Sequence, residues 1–128
     1  MAKKKRSMKG TSGDDVLTGS AKKDRIRGFE GDDIIETGEG RDKAWGGAGD
    51  DTFVTVDGGK GHVKIMDFSV GDLVEFCGCA STRVEQRGKN AWIVKGDDVK
   101  AVLKGINADD VEINFVERVI SLATDSLA

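Results

Sequence analysis

"GFEGDDIIE" (28–36) places a glycine and two adjacent aspartates directly before two isoleucines. Isoleucine is β-branched and favours a pleated strand. Adjacent carboxylates repel, so crowding them against a strand needs a cause. Near-copies lie 18 residues to either side: "GTSGDDVLT" (10–18) and "GGAGDDTFV" (46–54). Cut every nine residues from Gly10, the chain reads GTSGDDVLT, GSAKKDRIR, GFEGDDIIE, TGEGRDKAW and GGAGDDTFV. The sixth position is always aspartate: Asp15, Asp24, Asp33, Asp42 and Asp51. The eighth is always apolar: Leu17, Ile26, Ile35, Ala44 and Phe53. Such strict phase marks an internal repeat rather than a loose Gly/Asp-rich loop.

The bulk composition fits a small repeat domain. A chain of 128 residues suits one domain with a modest core. A formal net charge of −3 gives no bulk attraction to nucleic acid or to a membrane surface. Eighteen glycines with no proline point to turns built on glycine geometry. With 5% aromatics and no tyrosine, the core must be thin and aliphatic. No stretch approaches the ~18 apolar residues of a membrane span. The basic start "MAKKKRSMKG" has no apolar segment after it, so a cleavable signal peptide is not expected. Residues 1–9 read as a disordered basic tail with Lys3–Arg6 solvated.

These nonamers resemble the G-G-x-G-x-D-x-U-x repeat of the RTX (hemolysin-type) calcium-binding family. The resemblance is strongest over residues 10–68 and continues more weakly to about 116. "GGKGHVKIM" (58–66) is a further copy after a three-residue shift, with Val63 where the aspartate belongs. The resemblance implies an all-β fold: a parallel β-roll of two facing parallel sheets over residues 10–66. Each nonamer splits into a six-residue turn and a three-residue strand, and two nonamers make one coil. One sheet then supplies Leu17, Ile35 and Phe53 to the core, and the other Ile26 and Ala44. So small a core does not by itself offset chain entropy.

Stacked turns bring Asp15, Asp33 and Asp51 into one column, with Asp14, Asp32 and Asp50 beside them. Strands in a sheet lie about 4.8 Å apart. Two unit charges at that separation repel by roughly 3–4 kcal/mol at an effective dielectric of about 20. Calcium reverses the sign, because it takes six to eight oxygens from carboxylates and carbonyls. By the resemblance, Gly13, Gly31 and Gly49 supply carbonyl ligands and the sixth-position aspartates clamp ions between turns. One Ca2+ ion is expected between turns 10–15 and 28–33, and a second between 28–33 and 46–51.

The opposite edge keeps Asp24 and Asp42 but carries Lys22, Lys23 and Arg41 in its turns. It is expected to be partly neutralised and to bind calcium weakly or not at all; the alternative is that these cations are merely solvated. Outside the first sheet, Val16, Ile34 and Thr52 align in a column expected under another part of the chain or a partner. Outside the second lie Arg25, Arg27, Lys43 and Trp45, with Trp45 able to stack on an arginine.

After Val63 the ladder is expected to stop. Residues 67–116 read as antiparallel strands capping the open roll edge, which would otherwise invite aggregation. "HVKIMDF" (62–68) and "DLVEFCG" (72–78) alternate as half-buried strands do. "NAWIVKGDDVKAVLKGI" (90–106) reads as a hairpin, and "NADD" (107–110) as a helix start or turn. In the tail, Val116, Val119, Ile120, Ala123 and Leu127 share one helical face. Residues 117–128 therefore read either as a short C-terminal helix packed on the cap or as an uncleaved signal for type I secretion, as in similar calcium-repeat substrates. Cys77 and Cys79 read as buried small hydrophobes, with a C-x-C disulfide or a soft-metal site with His62 as alternatives.

No catalytic constellation stands out. H-E-x-x-H, the nucleophile elbow and the phosphate loop are missing, and His62 is the single histidine. No nucleic-acid partner is expected. The reading is a secreted, extracellular calcium-binding β-roll whose folding is coupled to Ca2+. The alternative is a matrix or partner-binding module in which calcium is purely structural.

Overall fold

The computed structural model describes residues 6–19, 24–38, 40–55 and 61–123. In the nonamers at 10–18, 28–36 and 46–54 the last three residues become a strand, and the Gly/Asp hexamer before them becomes a turn. The first seven strands are β1 (Arg6–Lys9), β2 (Val16–Thr18), β3 (Asp24–Arg27), β4 (Ile34–Glu36), β5 (Gly40–Trp45), β6 (Thr52–Val54) and β7 (Gly61–Ile65). They are followed by β8 (Leu73–Glu75), β9 (Thr82–Arg87), β10 (Asn90–Lys95), β11 (Asp98–Leu103), a 3-10 turn at Ala108–Asp110, β12 (Val111–Asn114) and β13 (Val119–Leu122).

The first eight strands alternate between two sheets, as the resemblance implied. One runs β12-β13-β8-β6-β4-β2 and the other β1-β3-β5-β7-β11-β10-β9. Within the coils every pairing is parallel and in repeat register: Leu17 faces Ile35 and Ile35 faces Phe53, while Ile26 faces Ala44. Because side chains alternate across a strand, only the middle residue of β2, β4 or β6 points inward. Ile26, Ile35, Ala44 and Phe53 are fully buried, and Leu17 nearly so. Val74 extends the first column, and Ile65 and Leu103 extend the second. Phe68 rests against Phe53 with ring centroids 6.3 Å apart.

Of the basic tail expected over 1–9, residues 1–5 lie outside the described residues. Residues 6–9 form β1, with Met8 opposite Ile26 and packed against the core. Met8 gives the strand an inward anchor.

The C-terminal half continues both sheets. β11 adds to β7 in parallel, then β10 and β9 follow antiparallel. The 90–106 hairpin is therefore present. Asn107 caps the 3-10 turn, its side chain accepting from the Asp109 N–H at 3.0 Å. The helix expected in the tail is not formed over 119–122. Those residues are β13, paired antiparallel with β12 and β8. Asn114 sets the reversal by accepting from the N–H groups of Val116 and Glu117. Val116, expected on a buried helical face, is 91% exposed. Leu127 and the rest of 124–128 lie outside the described residues.

Cys77 and Cys79 are joined in a disulfide, not held as separate apolar side chains or as metal ligands with His62. The Val16 and Ile34 column is not covered by described chain: Val16 is 68% and Ile34 41% exposed. The Trp45 contact is as expected, with the Arg27 guanidinium 4.8 Å from the ring centroid.

Candidate metal centre

Each acidic turn stacks on the next to make a rung. Rungs 10–15, 28–33 and 46–51 stack in that order, and a fourth, 67–72, completes the edge. Its place follows from strand register: Thr52 faces Leu73, so Asp51 precedes its strand as Asp72 precedes its own.

Two carboxylate ladders run through these rungs in opposite directions. In the sixth position, the Asp15 N–H donates to Asp33 Oδ1, Asp33 N–H to Asp51 Oδ1, and Asp51 N–H to Asp72 Oδ1, each at 2.9 Å. In the fifth position, the Asp32 N–H donates to Asp14 Oδ1 at 2.7 Å and Asp50 N–H to Asp32 Oδ1 at 2.8 Å. The sixth-position groups of the inner rungs are buried, and Asp14, Asp32 and Asp50 are exposed. Every expected residue of this edge is thus gathered into one stack. Asp67 also belongs to it, accepting from the Gly46 and Gly47 N–H groups at 2.9 Å.

The second oxygens separate the ends of the ladder from its middle. Asp15 Oδ2 accepts from the Thr11 N–H at 2.6 Å. At the far end, Asp72 Oδ2 accepts from the Ser69 N–H at 3.0 Å and the Ser69 hydroxyl at 3.1 Å. Between them, Asp33 Oδ2 and Asp51 Oδ2 are buried without a hydrogen-bond partner. An unpaired buried carboxylate oxygen is costly. The first-position glycine explains where these oxygens go. A Cβ at Gly28 would collide with Asp33 Oδ2 and stand 2.9 Å from the Gly46 carbonyl oxygen. The carboxylate therefore occupies the space that a side chain would fill.

Burial pushes the Asp51 carboxyl up to about 7, with the charges of Asp72, Asp33 and Asp67 adding to it. Burial likewise raises Asp33, aided by Asp15 and Asp14, and it raises Asp72, aided by Asp67. The N–H donors from neighbouring rungs oppose these shifts but do not cancel them.

A divalent cation fits this donor set. Among the described residues no three carboxylates, imidazoles or thiolates converge on one point. Backbone oxygens must therefore complete any shell, and calcium accepts them. The carbonyl of Gly13 faces the next rung, where a Cβ at Gly31 would lie 2.6 Å from it; the Gly31 carbonyl meets Gly49 in the same way. Gly31 and Gly49 have φ of +92° and +100°, a region that glycine enters without steric cost.

The other edge is shorter. The Asp24 N–H donates to Asp42 Oδ1 at 2.8 Å, and Asp42 faces Val63, where the column ends. Val63 thus terminates this edge alone, whereas the sixth-position column of the acidic edge continues to Asp72. Asp42 Oδ2 is buried and unpartnered, and burial, followed by the Asp24 charge, raises Asp42 to about 7. Lys22 and Lys23 lie outside the described residues. Arg41 is exposed, in register with His62, and its charge helps to lower the His62 pKa, for which burial is the first cause.

Against known families, the model of the RTX calcium-binding nonapeptide repeat matches residues 9–44 and 28–62, with four copies. The chain carries RTX repeats. RTX nonapeptide repeats bind Ca2+, and this all-β roll is their architecture. No curated protein matches the chain. The matched region stops short of Asp67 and Asp72, so the fourth rung is a feature of the fold rather than of the matched repeats. A signal for it exists in "GDLVE" (71–75), which keeps the aspartate and inward-residue spacing of "DDTFV" (50–54). The three extra residues before it break the 18-residue phase.

Several repeat positions depart from glycine, and Phe29 is one of them. Phe29 stands second in its nonamer, where the next coil has Gly47, and holds φ of +68° with the residue 42% exposed. A left-handed conformation costs an ordinary residue roughly 1–2 kcal/mol. Phe29→Gly should therefore stabilise the calcium-loaded roll by about 1 kcal/mol in urea denaturation. A loss of stability would show that the ring makes a contact worth more than the strain.

Proposed function

We propose that this RTX roll is a calcium-dependent folding module that works outside the cell. The carrying observation is the pair of buried, unpartnered oxygens on Asp33 and Asp51. They are held in place by the stack, and the stack brings their charges together. Calcium supplies the missing counter-charge, and its ligand set exists only when the rungs are stacked. Ion affinity then becomes folding free energy. Asp15, Asp33 and Asp51, with the Gly13, Gly31 and Gly49 carbonyls, hold ions between rungs, and Asp14, Asp32 and Asp50 add outer charge. Extracellular calcium modules bind at roughly 0.1–1 mM, so the chain stays loose before export and folds on release. Type I secretion, with the C-terminal residues as signal, is the route consistent with this chemistry. No catalysis is assigned.

The four-rung edge binds more strongly than the Asp24/Asp42 edge, because its inner carboxylates have a rung on both sides. Isothermal titration with calcium tests this. Asp33→Ala should remove most of the heat and shift the folding midpoint to at least tenfold higher calcium. Asp24→Ala should leave the larger share intact. Equal losses in the two variants would defeat the asymmetric assignment.

A second reading has the exposed Val16 and Ile34 column holding a protein partner, with calcium purely structural. The exposure of that column favours it. Native mass measurement separates the two readings, since a lone calcium module stays monomeric.

A further inference from the structure

Charge is sorted across the roll. The outward positions of β1, β3, β5 and β7 hold Lys9, Arg25, Arg27, Lys43 and Lys64, and no Asp or Glu shares them. Register sets Arg25 beside Lys43 and Lys43 beside Lys64 on consecutive strands. Lys9, Arg27 and Trp45 form the adjoining row. Strands lie about 4.8 Å apart, and like charges directly opposite one another destabilise a sheet. Between described residues, the ion pairs Arg83–Glu85 and Arg87–Glu85 lie on β9, at the far end of the sheet, and none reaches this grid. A chain of net charge −3 thus keeps a carboxylate-free cationic plane at a cost to its own stability.

We propose that this sheet face docks on an anionic phospholipid bilayer. The five cations lie in two staggered rows spread over four strands, so they match a plane of headgroups better than a single polymer strand. Trp45 is half-buried with its ring face covered by the Arg27 guanidinium at 4.8 Å. That face is not available to stack on a base or a sugar ring, which single-strand binders require. The aspartate turns lie along the edges of the roll, away from this plane, so binding is specific to one face rather than driven by bulk charge. A basic residue near an anionic leaflet contributes roughly a fivefold gain in partition. The inference goes beyond the calcium reading, and it is tested with the roll already loaded.

Cosedimentation in saturating calcium, with phosphatidylcholine vesicles with and without phosphatidylglycerol, decides it. The chain should pellet only with the anionic vesicles, and less as salt rises. Arg25→Gln with Lys43→Gln should weaken partition by roughly 25-fold. Lys89→Gln, on the exposed β9–β10 turn beyond the grid, should leave it nearly unchanged. Calcium-induced circular dichroism confirms that each variant still folds. Unchanged pelleting of the double variant would overturn the proposal, since calcium bridges from the acidic edge to phosphates would then carry the binding. Capture by duplex DNA or a polyuronate without pelleting on vesicles would also overturn it, in favour of a linear polyanion.

Discussion

In EDTA, Asp51→Asn should hold more β-structure at pH 7.5 than the wild-type chain, and with calcium it should hold less. Asparagine keeps an oxygen to accept the Asp33 N–H, so the ladder bond at 2.9 Å survives. It removes the charge that burial and three neighbouring carboxylates oppose. The Asp51 carboxyl rises from 3.8 to about 7 in the fold. At 1.36 kcal/mol per unit, its ionised form costs the apo roll roughly 4 kcal/mol at most. The sign follows from linkage. Asp51 and Asp42 both have folded pKa values above the unfolded one. The folded chain therefore keeps a proton that the unfolded chain has released. That contribution is fully present below about pH 4 and is lost as pH rises to about 7. Apo wild type should accordingly gain β-structure on acidification from pH 7.5 to 5. Calcium takes the place of the proton, so the apparent calcium affinity should fall over the same window. Circular dichroism across pH, in EDTA and in calcium, measures both trends. Apo β-content that is flat, or that rises with pH, would remove the link between buried carboxylates and the need for calcium.

The same residues show why some of this was legible in the chain and some was not. Asp15, Asp33 and Asp51 recur at a fixed phase because each rung must present the same group at the same height. Their two-coil spacing declared the parallel sheets and the inward columns together. Asp72 performs the same task at a spacing of 21 rather than 18, because the turn before it carries Asp67 and Phe68 outside the nonamer pattern. The tail misled for a related reason. Val119, Ile120 and Ala123 suit a helical stripe, and short apolar runs do not distinguish helix from strand. The open edge of β8 decided the matter: Ile120 pairs with Val74 and is fully buried there. Nor does the local pattern around Met8 announce a strand. Ile26 recruits it by offering a parallel edge with an apolar partner position. In each case a neighbouring strand, distant in sequence, overruled local composition.

Glycine at the second position should prove more demanding than the aspartates themselves. Gly47 and Gly96 share nearly the same kind of backbone, with φ of +82° and +60°. Alanine at either therefore meets a similar conformational penalty of roughly 1–2 kcal/mol. Their surroundings differ completely. A Cβ at Gly96 meets nothing within 4 Å, whereas one at Gly47 lands on the Phe29 carbonyl and stands 2.8 Å from its carbon. That neighbour is backbone of the adjacent rung and has no rotamer to move. Relief requires the coils to part, which breaks the Gly47 N–H bond to Asp67 and disturbs the Asp50 and Asp51 ladders together. Overpacking of this kind adds roughly 1–3 kcal/mol to the backbone term. Gly47→Ala should thus cost roughly 2–5 kcal/mol and abolish folding at millimolar calcium, whereas Gly96→Ala should cost roughly 1–2 kcal/mol and fold normally. Calcium titrations followed by circular dichroism, with urea melts of the loaded forms, compare the two. Similar losses in both would mean that the rungs are not packed backbone to backbone, and a stack that loose could not keep Asp51 Oδ1 at 2.9 Å from the Asp33 N–H.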